Sequence, residues 1–159
     1  MQRRALIRRL APALAASVLL AGCGSDTPSA SPADNAADPL CASVSAHWPT
    51  TVGGKDRVSI DVSGDQSSAD VAKTVAAWGD PAIIARCGVA APGPSTDCIE
   101  ADNIDWVMSS LSDGKRFVTY GRVPAIEVLV PSSYSPEPLV LSAFDEAAAQ
   151  VPQNSHRCS

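Results

Sequence analysis

The chain has 159 residues, a formal net charge of -5, 45% hydrophobic residues and only 4% aromatic residues. This length fits one ordinary domain, and the hydrophobic content excludes a wholly disordered chain. The acidic balance argues against a nucleic-acid-binding protein, because such proteins need a basic patch that displaces counterions from phosphates. The sequence has no apolar run of about 20 residues beyond its first two dozen positions, which excludes a multi-pass membrane protein.

Residues 1–22 have the pattern of a lipoprotein signal peptide. Four arginines lie in the first nine residues, and the uncharged stretch that follows, Leu10 to Gly22, is short for a membrane span. It ends in Leu20-Ala21-Gly22-Cys23, which resembles the bacterial lipobox, where the Cys thiol carries a diacyl (palmitate-type) anchor and the preceding peptide is removed. Cys23 is therefore expected to attach the protein to membrane lipid, because two acyl chains anchor a protein stably. The export route, Sec or twin-arginine, stays open.

Residues 23–38 are predicted to be the lipidated Cys and a flexible tether, since they are small, polar and rich in Pro and Ala. About fifteen such residues have a root-mean-square reach of roughly 20 Å. Removal of residues 1–22 takes four of the 12 basic residues and no acidic one, which leaves 8 basic against 17 acidic residues and a formal charge of -9. Such a domain should be repelled by anionic lipid and held by its lipid anchor.

Residues 39–159 are predicted to form a single domain stapled by disulfides. This part of the chain contains four cysteines, Cys41, Cys87, Cys98 and Cys158. An even number in an exported chain favours two disulfides, for which three pairings exist. The turn-rich segment between Cys87 and Cys98 favours a link between those two, which leaves Cys41 to pair with Cys158. No C-x-x-C motif and no zinc-ligand spacing occurs, so we expect neither a metal nor a cofactor.

Hydrophobic periodicity predicts a helix at each end of this domain and strands between them. Asp38-Pro39 fits an N-cap and first helical position, and a second apolar stripe runs from Leu141 to Val151. The strand-like segments are 58–62, 74–78, 82–88, 103–109, 116–122 and 125–130, although 71–78 also fits a helix. The predicted fold class is α+β, with a mostly antiparallel sheet of about four to five strands covered on one face by the N-terminal and C-terminal helices.

No nucleophile elbow, Walker loop, zinc-protease motif or dinucleotide-binding motif occurs in the sequence, so no catalytic residue is assigned. The polar and aromatic residues of the strands form the candidate ligand or partner surface: Trp78, Asp80, Arg86, Asp105, Trp106, Tyr120, Arg122 and Glu127. One interpretation is the solvated face of a one-sided sheet, with an Arg–carboxylate pair across strands. The other is a groove in which the aromatic rings offer flat surfaces and Arg86 or Arg122 binds an anionic or sugar ligand.

Several short segments together resemble one family. They are Trp78-Gly79-Asp80-Pro81, Arg86-Cys87-Gly88-Val89, Asp105-Trp106, Thr119-Tyr120-Gly121-Arg122 and Pro124 to Pro131. In these segments the chain resembles the actinobacterial lipoproteins of the domain-of-unknown-function family 3515 (DUF3515). The resemblance implies an envelope protein with an N-terminal lipobox, in agreement with Cys23, and implies no reaction. The stretch 64–72 does not match the pattern.

We therefore expect a lipid-anchored envelope protein on the outer face of the cytoplasmic membrane, acting as a non-catalytic binding or accessory module. Its expected partners are membrane lipid through acylated Cys23 and an envelope protein or cell-wall ligand, with no nucleic acid. One alternative is a small hydrolase-type envelope enzyme that uses Asp105 or Glu127 as acid or base. Another is a structural partner of a membrane complex, with Trp residues forming the contact. Burial of all three Trp would weaken both the enzyme site and the partner contact.

Overall fold

The structure is a computed structural model that describes residues 26–64 and 68–159. The predicted signal peptide and the predicted lipidation site at Cys23 lie outside the described residues. The described strands are β1 Ser29–Ala30, β2 Thr51–Val52, β3 Lys55–Val58, β4 Asp61–Val62, β5 Val75–Trp78, β6 Ile83–Val89, β7 Cys98–Ala101, β8 Ile104–Ser110, β9 Gly114–Thr119 and β10 Ala125–Pro131. The described helices are α1 Pro39–Ala46, α2 Ala69–Ala72 and α3 Asp145–Ala149, with 3₁₀ helices at Ser132–Tyr134 and Glu137–Phe144.

Eight of these strands form one antiparallel sheet in the order β2-β3-β5-β6-β10-β9-β8-β7, and β1 pairs with β4 in a separate parallel ladder. One face of the large sheet, the inner face, carries the alternate apolar residues of its strands, such as Trp106, Phe117 and Val128. These residues pack against α1, the 3₁₀ helix Glu137–Phe144 and α3, and they form the main core. The opposite face of the sheet is called the outer face below.

The prediction of four to five strands is wrong, since the sheet has eight. The prediction missed β7, a four-residue strand whose side chains are only half-buried or exposed. It also missed β2 and, apart from Val58, β3, which are two and four residues long and have one buried side chain between them, too few for an apolar alternation. Gly53 and Gly54 connect them with φ angles of 57° and 72°. A two-residue Gly-Gly connection with both φ values positive is typical of a type I′ hairpin, and this was the signal in the sequence for two further strands.

The helix predictions hold in part. The N-terminal helix α1 begins after Asp38, whose Oδ1 accepts a hydrogen bond from the Leu40 amide at 2.8 Å. The C-terminal apolar stripe is buried as its periodicity predicts, but it lies on the 3₁₀ helix Glu137–Phe144 followed by the single α-helical turn of α3. None of the helices in the described residues is long and apolar enough to cross a membrane.

All four cysteines of the domain are in disulfides, but the predicted pairing is wrong, because the bonds join Cys41 to Cys87 and Cys98 to Cys158. Cys87 lies on β6 and Cys98 begins β7, and the strands β10, β9 and β8 lie between these two. Four inter-strand spacings separate them by about 19 Å, which is too far for a disulfide. Cys87 instead meets α1 across the inner face, and Cys98 meets the C-terminal tail.

The segment 28–36 is packed against the domain, where its composition had suggested a tether. Ala33 and Ala36 are buried, and the Asn35 amide donates a hydrogen bond to the Gly88 carbonyl at 3.0 Å. Gly88 has a φ of 105°, and a Cβ atom at this position would collide with the backbone of Ala36. Small residues here therefore allow close packing on the outer face, so the domain described by the structure begins before Pro39.

Replacing each cysteine pair by alanine is expected to destabilise the domain strongly. The bonds close loops of 46 and 60 residues, and loop-closure entropy gives about 4 kcal/mol of stabilisation for each. Urea unfolding of the C98A/C158A and C41A/C87A variants measures the loss, each variant serving as the control for the other. The C41A/C87A variant should lose more, because both of its sulfur atoms are buried in the core. Non-reducing peptide mapping that finds Cys87 linked to Cys98 would contradict this fold.

Candidate functional site

The aromatic members of the predicted surface lie inside the domain. Trp78 and Trp106 are completely buried and Tyr120 is 5% exposed. The Trp78 ring packs edge-on against Trp48 and Phe144, and its Nε1 donates a hydrogen bond to the Pro49 carbonyl at 2.9 Å. Trp48 is 6% exposed, so all three Trp are buried and none offers a flat surface to a ligand.

A first group of charged residues lies on the outer face at the centre of the sheet. It consists of Arg86 on β6, Glu127 on β10 and Arg116 on β9, and is called the Glu127 cluster. Sheet register brings them together, because Glu127 is directly opposite Arg86 and also opposite Val118, two residues along β9 from Arg116. Directly opposite and diagonal residues on one face are within reach of long side chains. The sequence search missed Arg116, although its alternation with Phe117 places it on the polar face.

The Glu127 carboxylate is 2% exposed and is bound on both of its oxygen atoms. Arg86 Nε lies 2.7 Å from Oε2, and Arg116 Nε lies 2.7 Å from Oε1. These short distances are typical of charge-assisted hydrogen bonds. Arg86 also donates from Nη1 to the Ser31 carbonyl at 3.2 Å, which holds the segment 28–36 on the sheet. The cluster therefore neutralises a buried charge and fastens the N-terminal segment, and it leaves no carboxylate oxygen free for acid–base chemistry.

A second group lies near the β7 edge of the sheet, where the C-terminal tail packs on it. It consists of Asp105, Tyr120, Arg122, Gln153 and Arg157, and is called the Asp105 cluster. Asp105 is 4% exposed, with its Oδ2 at 3.6 Å from Nη1 of Arg157, and Arg122 is 7% exposed and donates to the Val151 carbonyl. The tail is fixed above them, since Gln153 Nε2 donates to the Tyr120 carbonyl at 3.2 Å.

Burial and the neighbouring Arg157 lower the pKa of Arg122, and Asp105 offsets part of that effect. Three buried side-chain atoms of this cluster lack a hydrogen-bond partner among the described residues: Asp105 Oδ2, Arg122 Nε and Gln153 Oε1. An unpaired buried polar atom costs about 1–3 kcal/mol. In the part of the chain that the structure describes, the Asp105 cluster is thus a buried polar site under a covering tail, with several polar atoms left unpaired.

Asp80, the last of the predicted residues, is exposed at the end of the sheet where β5 leads into β6. It lines a shallow recess of about 200 Å³ together with residues 26–28, Val58 and Ala82. The nearby Tyr134 hydroxyl donates to the Pro81 carbonyl at 2.7 Å. Burial, and then the charge of Asp80, raise the pKa of this phenol.

The eight predicted residues thus lie in separate places and do not line one groove. Two are in the core, two belong to the Glu127 cluster, three to the Asp105 cluster, and Asp80 lies at the recess. In residues 26–64 and 68–159 no group of three or more His, Cys, Asp and Glu side chains is placed to hold a metal ion.

A family model described as a protein of unknown function (DUF3515) matches residues 11–155 of the chain. The matched range includes the whole Glu127 cluster and every member of the Asp105 cluster except Arg157. No curated protein and no solved structure matches the chain. The family match covers the domain and assigns no chemistry to it.

The Glu127 cluster should show strong coupling between its two arginines. Arg86→Met or Arg116→Met alone leaves Glu127 one guanidinium partner, and each is expected to cost about 1 kcal/mol. The double variant leaves a buried carboxylate unpaired, and is expected to cost about 3–5 kcal/mol. Urea unfolding of the four proteins gives the coupling energy by a double-mutant cycle.

A further Glu127→Met change in the double variant is the matched control for that cycle. It removes the unpaired charge and should recover most of the lost stability. Additive losses from the two arginines, or no recovery in the triple variant, would contradict the role given to the Glu127 cluster.

Proposed function

We propose, for a chain that belongs to the DUF3515 family of proteins of unknown function, that it is a lipid-anchored accessory or binding module of an actinobacterial cell envelope. In this proposal acylated Cys23 holds the domain on the outer face of the cytoplasmic membrane. The observation that carries the proposal is that disulfides account for four of the five cysteines. Four of them pair with one another in two disulfides, so Cys23, at the end of a lipobox-like sequence, is the one left for lipid.

The disulfides also support an exported location. Disulfides form and persist in oxidising compartments, whereas the cytosol keeps thiols reduced. In this domain they join elements that are far apart in sequence: one links α1 to the central strand β6, and the other links the edge strand β7 to the tail. A domain whose layers are tied in this way is suited to work outside the cytosol.

The state of the two strand carboxylates favours a binding role over a hydrolase. General acid–base catalysis needs a carboxyl group within hydrogen-bond reach of a substrate. Both oxygens of Glu127 are bound by guanidinium donors, and Asp105 is buried beside Arg157 below the C-terminal tail. The part of the chain that the structure describes places neither carboxylate in an open cleft, so the enzyme alternative lacks a supporting observation.

The anchor is tested by intact-mass analysis of the membrane fraction. The wild-type protein is expected to start at Cys23 and to carry a diacylglyceryl modification, and Cys23→Ser should leave the membrane fraction. The C98A/C158A variant, which removes two other cysteines, is the control and should remain there. An unmodified Cys23 in a chain that still starts at Met1 would contradict the anchor.

The accessory role is tested by crosslinking in the native envelope. Partner proteins or cell-wall fragments are expected to crosslink to the wild-type chain, and these crosslinks should be lost from Cys23→Ser, because the anchor concentrates the domain at the membrane. Turnover of an envelope ester or glycoside by the purified chain, abolished by Asp105→Asn, would instead support the enzyme alternative.

A further inference from the structure

An apolar groove of about 240 Å³ lies on the outer face, at the end of the sheet where β6 begins and β10 ends. Ile84 of β6 and Leu129 of β10 are register partners and line it. Leu111, in the turn between β8 and β9, lines one side and is 42% exposed. Ile84 and Leu129 are half-buried, so Leu111 is the exposed large apolar side chain of the groove.

The N-terminal part of the described chain lies next to this groove. Ala82 lines both the groove and the recess formed with Asp26, Thr27 and Pro28. The position of this segment is fixed by a backbone hydrogen bond from the Asp61 amide to the Pro28 carbonyl at 2.8 Å, where β1 and β4 pair. The chain therefore reaches the domain at the same end of the sheet as the groove.

Chain length limits how far the anchor can lie from this end. Three residue steps separate Cys23 from Asp26, and a fully extended chain covers at most about 11 Å in three steps. The other end of the sheet is more distant, because the seven residues of β10 span about 24 Å at the usual rise of a strand. An acylated Cys23 thus brings the groove end of the domain to the membrane and leaves the opposite end, with Val123, away from it.

We propose that this groove and the Leu111 turn form the membrane-docking surface of the domain. Their occupant is the phospholipid of the leaflet that holds Cys23, in contact at the headgroup–acyl boundary. The inference rests on the lipid anchor of the proposed function. An acyl chain of Cys23 is a less favourable occupant of the groove. If one of its two chains left the bilayer to fill the groove, the remaining chain alone would bind the membrane only marginally.

The charges around the groove limit the kind of lipid it accepts. Asp113 lines the groove, and Asp26 and Asp80 line the adjoining recess. An anionic leaflet repels such carboxylates over about one Debye length, roughly 8 Å at physiological salt. Docking should therefore be closer on zwitterionic lipid than on anionic lipid, with salt reducing the difference.

Tryptophan quenching tests the proposal on the acylated protein that starts at Cys23, in vesicles of brominated phosphatidylcholine. The three native Trp are at most 6% exposed, so a Trp introduced at the surface reports lipid contact over a weakly quenched background. Leu111→Trp is expected to lose most of the added emission. Val123→Trp is the matched control, since Val123 is 64% exposed at the opposite end of the sheet, and its emission should persist.

Asp113→Trp gives a second probe in the same turn, in case Leu111→Trp disturbs the groove. Quenching of both turn probes but not of Val123→Trp supports the docking surface, and partial replacement by brominated phosphatidylglycerol should weaken that quenching at low salt. If the acylated protein stays on the vesicles and the turn probes are quenched no more than Val123→Trp, the docking surface is wrong and the lipid anchor stands. If the purified chain carries no lipid and leaves the vesicles, the proposed function itself fails.

Discussion

The buried charge of Glu127 sets the arrangement of the outer face. Its strand, β10, has β6 on one side and β9 on the other, and the carboxylate is 2% exposed beneath the arginines that these two strands supply. A buried carboxylate is strongly unfavourable unless it is paired and hydrogen-bonded. The two neighbouring strands each supply one arginine, and this requires the register in which Glu127 faces Arg86 directly and Arg116 diagonally. A shift of one residue in either ladder would turn the arginine to the inner face.

The same cluster also holds the segment 28–36. Arg86 also donates from Nη1 to the Ser31 carbonyl, Ala33 is buried beside this contact, and the backbone of Ala36 packs against Gly88. The segment 28–36 therefore lies along the outer face. Its composition resembles that of a linker, because close backbone packing and disorder both favour small residues. This is why the sequence suggested a tether where the structure has a packed segment.

The sequence predicts local structure in this protein better than it predicts strand neighbours. Asp38-Pro39 identifies the start of α1, an apolar run with β-branched residues identifies β6, and alternation identifies β8, β9 and β10. All of these signals depend on nearby residues only. The predicted disulfide pairing is wrong because it depends on strand order, which adjacent residues do not reveal. Cys87 and Cys98 are close in sequence, yet three strands lie between β6 and β7, the strands that carry them. The strand count fails at β2, β3 and β7, which are too short to show an apolar alternation. For β2 and β3, the Gly53-Gly54 turn was the signal in the sequence.

The candidate site shows the same limit. Alternation along β8 already puts Trp106 on the face of Ile104 and Met108, and Asp105 on the other, so the burial of Trp106 follows from its strand. Which carboxylate meets which arginine depends on the strand order, and this is why Arg116 was missed. Charged residues inside strands were a sound indication of a special environment, because such residues must be paired or solvated.

Segments on both sides of the sheet sequence cover parts of the sheet in the described structure. The helical layer covers the inner face, the segment 28–36 covers part of the outer face, and the tail, held by Cys158, lies at the edge strand β7. Edge strands invite unwanted pairing, and a covering tail is one way in which proteins protect them. The groove between Ile84, Leu129 and Leu111 remains apolar and open among the described residues. It lies a few residues from the predicted lipid anchor, so the membrane that holds the chain is also the surface best placed to cover the groove.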